Sequence, residues 1–175
     1  KQVLIMINNL KKYYQNLFEE NGDSLKSVQH SSKFSQIKRF ERLSLYISNG
    51  DTVADFGCGL GDLYKYFLDS GIDIKYFGLD FVSEFINLAK NKYKNELKAE
   101  FYEFDIYKDS IPKNVDFFII SGVFNNKIEN NKEFIETTIE KLFKNANKGI
   151  AFNALSTYVD YQDKSLYYID PLEII

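Results

Sequence analysis

Val53-Ala-Asp-Phe-Gly-Cys-Gly-Leu-Gly61 joins a short apolar run to three alternating glycines, with one acid, Asp55, just ahead of them. Thr52–Phe56 reads as a strand, and Leu60–Ser70, closed by Gly71, reads as a helix. Open parallel sheets bind ligands beyond the carboxyl ends of their strands, where this turn falls. Glycines there let the backbone approach a ligand and adopt conformations that other residues resist. A tight turn without a ligand would explain any one of the glycines, but three of them beside Asp55 favour a binding loop. Spacing then narrows the ligand. A dinucleotide G-x-G-x-x-G needs its third glycine at Asp62 or Tyr64, and neither register fits. No Gly-Lys-Ser/Thr follows, so the P-loop pattern fails as well.

Outward from this turn the chain alternates strand and helix. Asp73–Leu79, Ala99–Phe104, Val115–Ser121 and Ile150–Leu155 read as strands, and Val115–Ser121 is apolar enough to be covered on both faces. Ser83–Lys94, with Ser83 at the N-cap, and Asn131–Asn145 read as helices. Asp170-Pro171 reads as the start of another, since Pro suits a first helical turn. The pattern predicts an α/β fold, a Rossmann-like, doubly wound, mainly parallel sheet with helices on both faces. Ahead of it, Ile5–Glu20 and Phe34–Ile47 have helical periodicity and are separated by Asn21-Gly22-Asp23-Ser24 and a polar segment. Residues 1–48 are therefore expected to be an N-terminal helical extension, and residues 49–175 the core.

The 175 residues suffice for one domain with a proper core. A net charge of −3 argues against nucleic acid as a partner, because phosphate contacts need a basic excess. A small-molecule partner is expected instead. The single cysteine, Cys58, permits no internal disulfide, which suits a cytoplasmic setting. Residues Val3–Ile7 are apolar but too short for a signal peptide, and no apolar run reaches the length of a membrane span. The sequence begins at Lys1 rather than Met, as expected of a piece of a longer chain.

The segment VADFGCGLGDL resembles motif I of class I S-adenosylmethionine-dependent methyltransferases, and the likeness runs on in motif order to about Leu155. Phe77-Gly-Leu-Asp80 resembles the acidic end of the family's second strand, and Asp80 lies 25 residues after Asp55. Asp105, in Phe104-Asp-Ile-Tyr107, resembles the residue that contacts adenine. Asp116-Phe-Phe-Ile-Ile-Ser-Gly-Val-Phe124 resembles the fourth-strand motif. The resemblance implies S-adenosylmethionine as cofactor, with S-adenosylhomocysteine as its product, and a cofactor set of Gln36, Arg39, Asp55, Gly57, Cys58, Gly59, Asp62, Asp80, Phe81, Asp105, Ile106 and Ser121. No metal is expected.

Within that set, Asp80 would accept from both ribose hydroxyls, or else act as an acid at the helix N-terminus near Ser83. Asp105 would accept from the adenine amino group while the Ile106 amide donates to the ring; otherwise it is a turn residue. Asp55 would sit under the methionine end, or fix the glycine loop, or both. Phe81 would pack on adenine or ribose, or in the core. Cys58 would be a small turn residue, or a thiol activated by the helix N-terminus. Gln36-Ile-Lys-Arg39-Phe resembles a pattern that precedes motif I in small bacterial members; Gln36 and Arg39 share a helix face, and Arg39 would pair with a carboxylate or lie on the surface.

The cofactor carries the activated methyl, so the protein mainly positions the acceptor and excludes water. Ser121-Gly-Val-Phe-Asn-Asn-Lys127 falls where family members face the methyl, and it lacks the Pro-Pro-aromatic signature of base methyltransferases. Asn125 and Asn126 would orient a polar acceptor, or serve as turn residues. His30, the only histidine, sits in the polar segment between the two N-terminal helices, where family members form a lid over the site; its residue type suits a general base, or it is an exposed loop residue. Tyr158, Tyr161, Tyr167 and Tyr168 would line an acceptor pocket or pack. The expected activity is methyl transfer to a small-molecule oxygen or nitrogen acceptor, such as a sugar or nucleotide-linked precursor of a surface polysaccharide. The alternatives are a protein or nucleic-acid methyltransferase and a catalytically silent binding module. Against the family's seven strands, the sequence reaches Ile175 without a last helix and two strands. Association through an open sheet edge, or a further domain, is expected from that.

Overall fold

The structure, a computed structural model, describes residues 2–29 and 32–173. A five-stranded sheet lies at its centre: β1 (Thr52–Phe56), β2 (Lys75–Asp80), β3 (Ala99–Glu103), β4 (Val115–Ile120) and β5 (Ala146–Phe152). All neighbours pair in parallel, in the order β3-β2-β1-β4-β5. The chain thus winds outward from β1 in one direction and then in the other. The crevice above β1 and β4 is the switch point where such sheets bind ligands.

Alternation along the strands divides the core in two. Val53, Tyr76 and Ile119 face one cluster, where α2 (Lys33–Leu43), α3 (Asp62–Asp69) and α4 (Ser83–Lys92) contribute Phe40, Phe67 and Ile86. Ala54, Phe118 and Ile120 face the other, filled by Phe134, Ile135 and Leu142 of α5 (Asn131–Asn145). Helices therefore cover both faces, as the alternation implied. The first helix, α1 (Gln2–Asn21), stands apart with a 3-10 turn over Leu25–Val28. A third cluster joins its Tyr14 and Phe18, with Val28, to Leu60, Val82 and Phe85.

Several boundaries differ from those read in the sequence. α2 stops at Leu43, and Ser44–Ile47 form a turn that the apolar spacing of Ile47 had masked. β5 begins at Ala146, directly after α5, rather than at Ile150. Its second and third residues, Asn147 and Lys148, are exposed at the sheet edge and carry no apolar signal. Ser83 is the first residue of α4 and not its cap; Val82 holds that position, and its amide is taken by Asp80. Pro171 opens only a 3-10 turn, Pro171–Glu173. Two short strands, β6 (Leu155–Ser156) and β7 (Tyr168–Ile169), pair with each other between β5 and that turn. No helix among the described residues is long and apolar enough to cross a membrane.

Candidate active site

The turn after β1 opens into a cleft of about 510 Å³ at the carboxyl ends of β1, β2, β3 and β4. Gly57 and Gly59 both have left-handed φ, +79° and +52°. A Cβ at Gly57 would lie 2.3 Å from Val123 Cγ2, and one at Gly59 would lie 2.8 Å from Val28 Cγ1. Sterics therefore demand glycine at both positions twice over, through backbone conformation and through space. The loop is pinned to β2, because the amides of Gly57 and Cys58 both donate to the Leu79 carbonyl, at 2.7 and 3.1 Å.

Two buried carboxylates stand beside it. Asp80, at the end of β2, accepts from the Gly59 amide through Oδ2 and from the Val82 amide through Oδ1, both at 2.9 Å. One carboxylate thereby holds the glycine loop and the start of α4, so its reading as an acid at a helix N-terminus is part of the picture. Burial raises its pKa to about 6 against the opposing pull of those amides. Asp55 accepts from the Tyr76 hydroxyl at 2.7 Å. Burial, with the nearby carboxylates of Asp80 and Asp62, raises its pKa to about 7, although the Tyr76 bond works the other way. The Cys58 thiol is buried between these acids, and burial first and their charge second push its pKa up. An activated thiolate is thereby disfavoured, and a small turn residue is what the loop needs.

The remaining residues picked from the sequence converge on the same cleft. Gln36, Arg39, Asp62, Phe81, Asp105, Ile106 and Ser121 all line it. Gln36 is buried and donates to Asp62 Oδ2 at 3.0 Å, tying α2 to the first turn of α3. Arg39 is half-buried on the same face of α2. Asp105 accepts from the Tyr107 amide at 3.0 Å and pairs with Lys108 at 2.7 Å, so it is also the turn residue of its alternative reading. Phe81 meets the Tyr14 ring edge-on, with centroids 6.3 Å apart. Ser121 Oγ is shielded from solvent and has no hydrogen-bond partner among the described residues. His30 lies outside the described residues.

Over the cleft lies α1, part of the N-terminal extension expected as a lid. Tyr14 lines the cleft, and its hydroxyl donates to Gln29 Oε1 at 2.9 Å and accepts from Asn126 Nδ2 at 2.7 Å. Lys11 pairs with Glu103 at the end of β3 at 2.6 Å, and Gln15 donates to Glu84 on α4 at 2.8 Å. These bonds carry α1 across the cleft from the β3 side to the β4 side. The far wall also differs from expectation. None of Tyr158, Tyr161, Tyr167 and Tyr168 lines the cleft; Leu155, Asp163, Ser165 and Leu166 of the same segment do, together with Asn125. Tyr158 and Tyr161 point to solvent, while Tyr167 packs in the core.

A glycine turn at a switch point, with acids ending the next strands, defines a nucleotide-type cofactor cleft in a Rossmann-like fold. Comparison with known proteins makes the class specific. The methyltransferase domain family matches residues 53–147. The chain is 30% identical over 126 residues to Rv1506c, a candidate methyltransferase of Mycobacterium tuberculosis, across 69% of this chain and 74% of that one. The fold is shared with the magnesium protoporphyrin IX methyltransferase of Synechocystis solved with bound S-adenosylhomocysteine (TM-score 0.70, 14% identity, 99% of this chain and 84% of that one). It is also shared with the N-methyltransferase NodS of Bradyrhizobium japonicum in complex with the same molecule (TM-score 0.61, 18% identity, 82% and 73%). The chain belongs to the class I S-adenosylmethionine-dependent methyltransferases.

Proposed function

We propose that this chain transfers the methyl group of S-adenosylmethionine to an oxygen or nitrogen of a small-molecule acceptor. The observation that carries this is the convergence of twelve residues, chosen by motif, on one cleft at the switch point. Its chemistry suits the cofactor. Each oxygen of Asp80 accepts one amide and keeps lone-pair capacity for a ribose hydroxyl. Asp105 and the Ile106 amide lie at the end of β3 for an adenine ring, with Phe81 against it. Gly57 and Gly59 keep side chains off the floor under the methionine end, Asp55 lies below it, and Arg39 offers a cation for its carboxylate. The bound cofactor supplies a sulfonium-activated methyl; the protein's part is to align the acceptor in line and exclude water.

The first 48 residues act in this reading as a lid, since α1 and the turn at Leu25–Val28 meet the glycine loop and the loop after β4. A sugar would suit the polar far wall. Nucleic acid would bring phosphates against Asp55, Asp62, Asp80, Asp105 and Asp163. A reducing, cytoplasmic setting suits the single buried thiol. Calorimetric titration of the chain with S-adenosylmethionine and with NAD tests the reading: saturable binding is expected for the first only. Absence of S-adenosylmethionine binding, or equal binding of NAD, would sink it.

A further inference from the structure

The lysines of α5 behave in two ways. Lys132 and Lys144 are exposed and pair with Glu136 and Glu140, one turn away on the same helix. Lys141 has Thr137, Thr138, Lys144 and Asn145 at those spacings, so the helix offers it no acid. It is half-buried and turns inward, where Nζ donates to the Ile106 carbonyl at 2.9 Å. The same ammonium lies 5.6 Å from the centre of the Tyr107 ring. It has no carboxylate partner among the described residues. An ammonium gives up hydration to reach such a place, and a backbone carbonyl replaces it only in part.

What Lys141 holds is the turn that follows β3. That turn is tied internally and to β2. The Phe104 amide donates to the Asp80 carbonyl at 2.8 Å, and the Asp105 carbonyl accepts from the Lys108 and Asp109 amides at 3.0 and 2.9 Å. The Asp105 amide donates to Asp109 Oδ2 at 2.7 Å, and the Tyr107 amide to Asp105 Oδ1 at 3.0 Å. α5 adds a grip from outside: Lys141 on the Ile106 carbonyl, and Phe134 against the Tyr107 ring with centroids 6.5 Å apart. Ile106 is thus fixed on both sides, through Asp105 and through Lys141. Its own amide meets no acceptor among the described residues, which leaves a donor for a ligand.

We propose that Lys141 is a positioning residue for the adenine of the cofactor, and that it sets the selectivity for adenine over hypoxanthine. This rests on the methyltransferase reading of the cleft. Lys141 does not line the cleft; Asp105 and Ile106 do, so it acts through them. Adenine presents a lone pair at N1 and an N–H at its 6-amino group, which suit the Ile106 amide and the Asp105 carboxylate. Hypoxanthine inverts both, with an N–H at N1 and a carbonyl oxygen at position 6. A donor and an acceptor reject that inversion only while they are held in register, because a turn free to rotate would re-pair them. Lys141 supplies the hold from the one side that the turn's internal bonds do not reach.

Competition calorimetry with S-adenosylhomocysteine and S-inosylhomocysteine tests this, since the two differ only at that edge of the ring. Wild type should favour the adenosyl compound by at least about a hundredfold, from two inverted contacts of about tenfold each. Lys141→Met should cut that preference by about tenfold, chiefly by weakening S-adenosylhomocysteine. Lys141→Arg keeps a charged donor able to stack on Tyr107 and should hold the preference within about threefold of wild type. If the methionine variant does not fold, Lys141→Gln, one atom too short to reach the carbonyl, carries the same expectation. A mere brace of the fold would lower the thermal midpoint and weaken both ligands alike. An unchanged preference in the methionine or glutamine variant, or an equal loss in the arginine variant, would overturn the inference while leaving the cofactor reading standing. A wild type that binds both ligands equally would also remove it and leave the cofactor cleft in place. If wild type binds neither ligand, both readings fall.

Discussion

The two walls of the cleft differ in how complete they are. On the wall formed by β1 and β2, Asp80 already holds two amides, Asp55 holds a phenol and the glycine loop is tied to Leu79. On the wall formed by β4 and the segment after β5, Ser121 and Asn125 each keep a buried oxygen without a hydrogen-bond partner among the described residues. A preorganised wall suits a ligand that is the same in every turnover. An unfinished wall suits a partner that completes it and is selected by doing so. The comparison breaks if the first wall tolerates change or the second ignores it.

The largest effect is expected at Gly57. Alanine there must hold a φ of +79° and place its Cβ 2.3 Å from Val123 Cγ2. Strain of this kind costs about 1–3 kcal/mol and displaces the loop that Leu79 anchors. Gly57→Ala should lower the denaturation midpoint and weaken S-adenosylmethionine binding by more than about a hundredfold in calorimetry. Unchanged affinity would mean that the first wall is not preorganised for the cofactor.

Next comes Asp80→Asn. The variant keeps a side chain of the same shape but gives up a charged acceptor shared by Gly59, Val82 and, on the proposed reading, the ribose. Charged hydrogen bonds contribute about 1.5–3 kcal/mol, so the Kd for S-adenosylmethionine should rise by about ten- to a hundredfold. A change that stays below about twofold would return Asp80 to a purely structural role at the head of α4.

How much of this the sequence carries follows from where each wall sits in the chain. In a parallel sheet, successive strands deliver their last residues to one edge, so Asp55, Asp80, Asp105 and Ser121 must meet there once the strands are recognised. Glycine spacing selects the loop locally, for steric reasons that need no tertiary knowledge. The roof and the far wall have no such rule. Tyr14 and Asn126 are 112 positions apart, and only the path of α1 over the sheet brings them together. In the segment after β5, aromatic content pointed to the tyrosines, yet loop geometry turns Tyr158 and Tyr161 outward and puts Asp163 and Ser165 into the cleft. The early start of β5 was hidden because an exposed edge can be polar, as Asn147 and Lys148 are.

The preorganised wall also has a pH signature. The folded-state pKa values of Asp55 and Asp80 are raised to about 7 and about 6 from an ordinary 3.8. The native protein without cofactor therefore binds more protons than the unfolded chain between those limits. Its stability is fully present below the ordinary carboxylate pKa and is lost as pH rises toward 7, where both groups ionise in the interior. Urea midpoints should fall from pH 5 to pH 8, and Asp55→Asn should flatten that fall by on the order of 1 kcal/mol. Cofactor affinity should move oppositely and weaken below about pH 6 as Asp80 protonates. A midpoint that is flat or rising over this range would show that these carboxylates are better solvated than their burial implies.

The smallest effect concerns the roof that joins the two walls. Tyr14→Phe keeps the ring that meets Phe81 and Phe85 at 6.3 and 6.1 Å, and removes only the hydroxyl between Gln29 and Asn126. Asn126 retains its own bond to Gln29 at 2.9 Å, so the roof is loosened rather than released. One such hydrogen bond contributes about 0.5–1.5 kcal/mol. If α1 is a lid, that energy belongs to the closed state, and S-adenosylmethionine should dissociate about two- to tenfold faster in stopped-flow displacement. The thermal midpoint measured without cofactor should move little, because the apolar contacts of α1 with Leu60 and Phe85 are untouched. If the hydroxyl instead serves the fold as a whole, the midpoint should drop by about 2–4 °C per kcal/mol while the dissociation rate holds. The pair of measurements thus decides whether α1 is a moving roof over both walls or a fixed part of the first.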